Sequence, residues 1–178
     1  MTGTSRVIVG LNGSLGSLAA LYRAVAEAAR REAVLVPVAA WSPADGDRRG
    51  PRPLSELEHA ALRRIDTAFE QAFGSYPADV VIHPLAVRGH AGAALVSAVT
   101  GPDDRLVLGT GRHGRLDRLL HGSVLGYCRA HAPCPVMAVS ASELLKRLEF
   151  SARIGAPLPL AVGQHSAGHP VPRAVDVH

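Results

Sequence analysis

Five short aliphatic runs, separated by stretches of helical periodicity, punctuate the first 140 residues. Val7-Ile8-Val9-Gly10-Leu11 is the first, ended by the turn residues Asn12-Gly13-Ser14. Val34 to Trp41, Asp79 to Val87, Arg105 to Gly109 and Val136 to Val139 follow. Between them, apolar residues recur every three to four positions. They do so over Gly16 to Glu32, Leu54 to Phe73, Ala91 to Thr100 and from about Ser123 to His131. Buried strands read as continuous apolar runs and core-facing helices as amphipathic stripes. The β-α-β-α-β-α-β-α-β order therefore predicts an α/β fold, an open, doubly wound, five-stranded parallel sheet with helices on both faces. Pro37 lacks a ladder donor and argues against a central position for the second run. Arg23, Glu27, Arg30 and Arg31 lie mostly off the apolar stripe of the first helix.

The composition agrees with this reading. Hydrophobic residues make up 47% of the 178 and aromatics only 4%, so Ala, Val and Leu must fill the core. The character changes after Ser140, which sets a domain over residues 1–141 and an extension over 142–178. In the extension, Ser142 to Phe150 can form a short helix. Ser151 to His178 holds four prolines and three glycines without periodicity and reads as a flexible tail.

Charge and cysteine content exclude several classes. The net charge of +4 comes from 19 basic and 15 acidic residues, with Lys146 the sole lysine. The charges form no long block, and aromatic residues for stacking bases are few, so nucleic acid is not an expected partner. Two cysteines, Cys128 and Cys134, cannot make a disulfide framework. No segment approaches the length of a membrane span and no secretory leader is evident, so a cytoplasmic location is expected.

In open α/β sheets, ligands bind at the carboxyl ends of the strands, at the switch point. Two glycine-rich loops qualify here: Gly10 to Ser14 after the first strand, and Gly109 to Ser123 after the fourth. Gly122-Ser123 opens a helix, where free N–H groups suit an anion; the same pair also serves simply as a helix cap. Gly109-Thr110-Gly111-Arg112-His113-Gly114 spells a dinucleotide fingerprint, but no helix opens there and no acid follows about 20 residues on. NAD is therefore not expected. His113, His121, Cys128, His131 and Cys134 are close in sequence. Cys128, however, falls on an apolar stripe, and Cys134 sits between Pro133 and Pro135 at the entry to a strand, so no zinc or other metal site is expected. No G-x-S-x-G elbow, paired carboxylates or assignable base accompany Ser14 or Ser123, so no catalytic residues are assigned.

In order and spacing, these segments resemble the universal stress protein family over about residues 6 to 140. Val7 to Ser14 resembles the family's opening strand and V-G-V-D-G-S turn. Val38-Ala39-Ala40-Trp41 resembles its second strand, and Val87-Arg88-Gly89-His90 the end of its third. Leu106 to Val139, closing on His131-Ala132-Pro133-Cys134-Pro135-Val136, resembles its most specific region. Nucleotide-binding members carry G-x2-G-x9-G-[ST] after the fourth strand; this chain has Gly109-x2-Arg112-x9-Gly122-Ser123. Arg112 either closes the pocket or offers its guanidinium to phosphate. Asn12 stands where the family usually has Asp.

The resemblance implies a non-catalytic or weakly ATP-hydrolysing stress regulator. Gly10, Leu11 and Asn12 would meet adenosine. Gly109, Gly114, Gly122, Ser123 and Val124 would cradle phosphates, with Arg112 as an added anion ligand. ATP is the implied ligand, with Mg or Mn accompanying its phosphates. A homodimer is implied through the fifth strand, Val136 to Val139, whose apolar edge argues for a partner on its own. The alternatives are a nucleotide-free protein acting through dimerisation and protein partners, and a weak nucleotide hydrolase.

Overall fold

A computed structural model of the chain describes residues 5–43, 52–110 and 123–153. Among these residues, five parallel strands and five helices alternate: β1 (Arg6–Gly10), α1 (Leu15–Arg31), β2 (Val34–Trp41), α2 (Leu54–Phe73), β3 (Leu85–Arg88), α3 (Ala91–Ser97), β4 (Arg105–Thr110), α4 (Val124–His131), β5 (Val136–Ser140) and α5 (Ala141–Arg153). The sheet order is β3-β2-β1-β4-β5. The expected open, doubly wound parallel sheet is thus what forms.

The two faces of the sheet are filled as strand alternation dictates. Val7, Val9, Leu35, Ala39, Trp41 and Val107 pack with α1 and α2. Ile8, Val36, Val38, Leu106 and Leu108 pack with Leu95 of α3 and Cys128 of α4. Val7, Ile8 and Val9 are wholly buried, and each such side chain contributes about 1.5–3 kcal/mol of hydrophobic stabilisation. Alanines let α1 lie close on the sheet, with Ala19, Ala20, Ala24 and Ala28 all buried.

Pro37 corrects one expectation. β2 has neighbours on both sides, β1 and β3, and Val9 pairs with Pro37 in register. Parallel strands present successive residues to opposite neighbours. Leu35 bonds on the β3 side, taking Val81 O and His83 N at 2.8 Å each, and Trp41 O accepts from Gly89 N on that side too. Pro37 therefore turns its missing donor toward β3, where pairing lapses between the isolated Leu35–Ile82 bridge and the Val38–Leu85 register. This lapse also shortens the third strand, expected over Asp79 to Val87, to Leu85–Arg88. The helix expected to reach Thr100 ends at Ser97.

Glu27 is a second correction. It lies on the buried side of α1. Its carboxylate takes Arg30 Nη2 at 2.7 Å and stands 4.0 Å from Arg31 Nη1. The Arg30 hydrogen bond holds the Glu27 carboxyl below its ordinary range despite burial, with the Arg30, Arg31 and Arg23 charges assisting.

At the amino ends of the strands, Asp104 ties β1 to β4. Its carboxylate accepts from Arg6 N (3.0 Å), Thr100 N (2.7 Å), Thr100 Oγ1 (2.9 Å) and Gly101 N (3.3 Å). Burial alone would raise its pKa; the bonds from Thr100, Arg6 and Gly101 outweigh it and hold the carboxyl below the ordinary value.

Beyond β5, α5 begins at once and continues to Arg153, past the Phe150 expected as its end. Leu144 and Met137 border the core on the α1 side. The rest of the expected tail lies outside the described residues.

Candidate functional site

The chain's second strand lies to one side of β1, while the strand after β4 lies to the other. The connections leaving β1 and β4 therefore part at their carboxyl ends, and a crevice opens between them.

From β1 the chain passes Gly10, Leu11, Asn12 and Gly13 before α1 begins at Leu15. Gly10 has little room for a side chain, because an added Cβ would lie 3.2 Å from Leu108 and Leu95 methyl carbons. Leu11 is buried, and its N–H still belongs to the sheet, donating to Val38 O at 2.9 Å. Asn12 is exposed and turns back on its own loop, where its Oδ1 accepts from Ser14 N at 3.1 Å. Gly13 carries φ +80, which favours glycine. Ser14 caps α1 by accepting from Ser17 N at 3.2 Å.

From β4 the last described residues are Gly109 and Thr110. A Cβ on Gly109 would stand 2.1 Å from Gly16 O and 2.6 Å from Ser17 N. The glycine is thus required by the first turn of α1, which rests directly on the strand. It brings the amino end of α1 to the switch point, but its own surface is turned to the helix. Thr110 Oγ1 donates to Val139 O at 3.2 Å and joins β4 to β5. Where the described chain resumes, Ser123 caps α4, accepting from Gly126 N at 3.4 Å, and Val124 is exposed. Neither α1 nor α4 has an acidic residue in its first turn. Two serine-capped helix amino ends without first-turn acids therefore border this end of the sheet. Arg112, Gly114 and Gly122 lie outside the described residues.

Of the histidines and cysteines that lie close in sequence, His113 and His121 fall outside the described residues, while Cys128, His131 and Cys134 are described. Cys128 is wholly buried in the α3–α4 core, its Sγ 3.8 Å from Gly92 O. Burial, with a smaller contribution from Cys134, pushes its pKa up to about 11. His131 Nδ1 lies 2.8 Å from Tyr127 O, and the two rings stack at 4.2 Å. Among the described residues, no three His, Cys, Asp or Glu side chains form a group able to hold a metal ion.

Motif and spacing pass over one residue at this end. Arg64 lies on α2 between the buried Ala61, Ile65 and Ala68, and its Nη1 donates to Ala40 O at 3.2 Å. A signal exists in the sequence, since a charge stands on an otherwise apolar stripe.

Comparison with known proteins accords with this architecture. A structure described as a universal stress protein in complex with cAMP has a TM-score of 0.50 and 27% identity, covering 79% of this chain and 99% of its own. Universal stress protein UspA from Lactobacillus plantarum superposes with a TM-score of 0.55 at 22% identity, over 78% of this chain and 99% of its own. A protein of the same family from Burkholderia pseudomallei gives 0.54 at 24%, over 78% and 98%. The curated proteins contain no match. The universal stress protein family model matches residues 3–140, from the approach to β1 through the last residue of β5, and the chain belongs to that family.

Proposed function

We propose that the protein binds an adenine nucleotide, ATP or a related mononucleotide, at the carboxyl ends of β1 and β4. It acts as a non-catalytic, cytoplasmic stress regulator rather than as an enzyme. The observation that carries this reading is the convergence of two serine-capped helix amino ends, without first-turn acids, on the switch point of the sheet. That a structural neighbour is described in complex with cAMP supports it. Asn12 and the Gly10–Leu11 backbone would lie against adenosine. Ser123, Val124, Gly109, Gly114, Gly122 and Arg112 would surround the phosphates. A Mg or Mn ion would arrive with the phosphates and be held largely by their oxygens. No described helix is long and apolar enough to cross a membrane.

The homodimer belongs to the same proposal. The two sheet edges differ in kind. The β3 edge carries His83, Pro84 and Arg88 and is exposed at each of them, features that discourage strand addition. Val136-Met137-Ala138-Val139-Ser140 of β5 has no charge and, among the described residues, pairs only with β4. A second copy adding along β5 would satisfy that edge.

A nucleotide-free protein acting through its partners is the second reading. It is favoured by the structural employment of Gly109 against α1 and of the Asn12 side chain within its own turn. Calorimetry with ATP and AMP, on the protein and on Arg112→Gly, separates the two. Binding that weakens in the variant makes Arg112 a phosphate ligand. Binding by the variant alone means that Arg112 closes the pocket, and absence of binding in both proteins refutes the nucleotide reading.

A further inference from the structure

The helix that follows β5 stands where a dimer through β5 needs room. On the inner side of β5, Pro135 O accepts from Leu106 N at 3.1 Å and Val139 O accepts from Thr110 Oγ1 at 3.2 Å. By the two-residue alternation, Val136, Ala138 and Ser140 turn their N–H and C=O groups outward. An antiparallel second copy centred on Ala138 meets all three. The two-fold axis of such a pair runs between the two strands, perpendicular to the sheet, and brings both copies of α5 to the same face.

That face also carries α1. The amino end of α1 rests on β4, with Gly16 and Ser17 against Gly109. α5 lies along this half of α1, on the β5 side: Glu143 and Leu144 line a cavity of about 20 Å³ with Ala19, Tyr22, Arg23 and Val139. α2 takes the other flank, where Tyr22 packs on Phe73. Packed helices stand about 8–10 Å apart and paired strands about 4.8 Å. Measured outward from β4, α5 therefore passes β5 and overlies the place of an added strand. The two-fold carries the second α5 over β5 in the same way. The two axes would then lie within about 6 Å of each other, closer than helices pack, so one layer does not hold both. The hold of α5 on the body is slight. Among its described side chains, Leu144 borders the core and Leu145 is 59% exposed.

We propose that α5 is an autoinhibitory strap: packed on α1 it excludes pairing through β5, and the dimer forms from copies whose α5 has swung away. The inference rests on the β5-edge dimer proposed above and adds its control. Both copies must open, so a tenfold rise in the open fraction tightens the dimer about a hundredfold.

The test is sedimentation velocity over a concentration series on the full chain, on Leu144→Ala, and on each with Ala138→Pro added. Leu144→Ala loosens the strap and should lower the dimer dissociation constant by at least about tenfold. Ala138→Pro removes an outward N–H, which an edge strand tolerates, and should abolish the dimer in both backgrounds. If Leu144→Ala does not fold, hydrogen exchange of the α5 amides in the parent carries the test. Exchange should quicken as the dimer forms, and exchange that stays level or slows overturns the strap. Equal dimerisation of the parent and Leu144→Ala, lost in both on Ala138→Pro, overturns this inference alone. Dimers that survive Ala138→Pro, or no dimer in any of the proteins, overturn the β5-edge reading and this inference with it.

Discussion

Replacing Gly109 by alanine inserts a methyl group where the first turn of α1 already lies. The added carbon would sit 2.1 Å from Gly16 O and 2.6 Å from Ser17 N, both backbone atoms. A carbon and an oxygen in ordinary contact are about 3.5 Å apart, so helix and strand must separate by roughly 1.4 Å. No side-chain rotation relieves this, because the obstacle is main chain. Gly16 and Ser17 are buried, and the separation would loosen the contact of α1 with β4. Overpacking of this kind costs about 1–3 kcal/mol, and more when backbone must move. At about 2–4 °C per kcal/mol for a chain of this size, the midpoint should fall by roughly 2–12 °C. Urea unfolding followed by far-ultraviolet circular dichroism measures the free-energy loss, beside Gly101→Ala as a control. A methyl added at Gly101 would meet no atom within 4 Å, so that substitution should stay within about 0.5 kcal/mol of the parent. Equal stability of Gly109→Ala and Gly101→Ala would refute the packing argument and return Gly109 to the ligand loop alone.

Asp104→Asn should destabilise the fold by about 2–3 kcal/mol, because four donors lose a charged acceptor and one meets an amide N–H instead; chemical denaturation at neutral pH checks it. The parent's own acid unfolding has the same origin. The folded Asp104 pKa is depressed, so its contribution is fully present above the unfolded value of about 3.9 and is lost as pH falls through the lower folded value. A stability–pH curve flat between about pH 5 and 2 would contradict this. Cys128 and Cys134 are both buried with raised pKa values. Thiol reagents at neutral pH should therefore label neither in the native protein and both in denaturant, and rapid native labelling would show that the α3–α4 core opens.

Local pattern sufficed for most of the scaffold. β2 and α2 fall on Val34–Trp41 and Leu54–Phe73, as periodicity alone predicts. It failed where a residue's role is set by something distant in the chain. Gly109 reads as a ligand-loop glycine because nothing nearby in sequence reveals that Gly16 lies against it. Pro37 reads as an obstacle to an interior strand because the compensating lapse in β3 is a tertiary fact. Glu27 reads as surface because charge usually means solvent, and its arginine partners are visible in sequence only as neighbours on a helix. Asn12 and Ser123 are legible as the ends of loops. The use of the Asn12 amide in its own turn depends on side-chain geometry that spacing cannot supply.

The strand order also sets a timetable for synthesis. β1 lies at the middle of the sheet, yet one of its flanking strands is β4, and the Arg6 N–Asp104 bond spans 98 residues. At about 5–20 residues per second, a ribosome needs on the order of 5–20 s between these two residues. For that interval the wholly apolar Val7-Ile8-Val9 segment can pair with β2 but not with β4. The nascent chain thus carries an open sheet edge through the middle of its own production. This is the period in which a chaperone, or another copy of the same unfinished chain, has its best opportunity to bind.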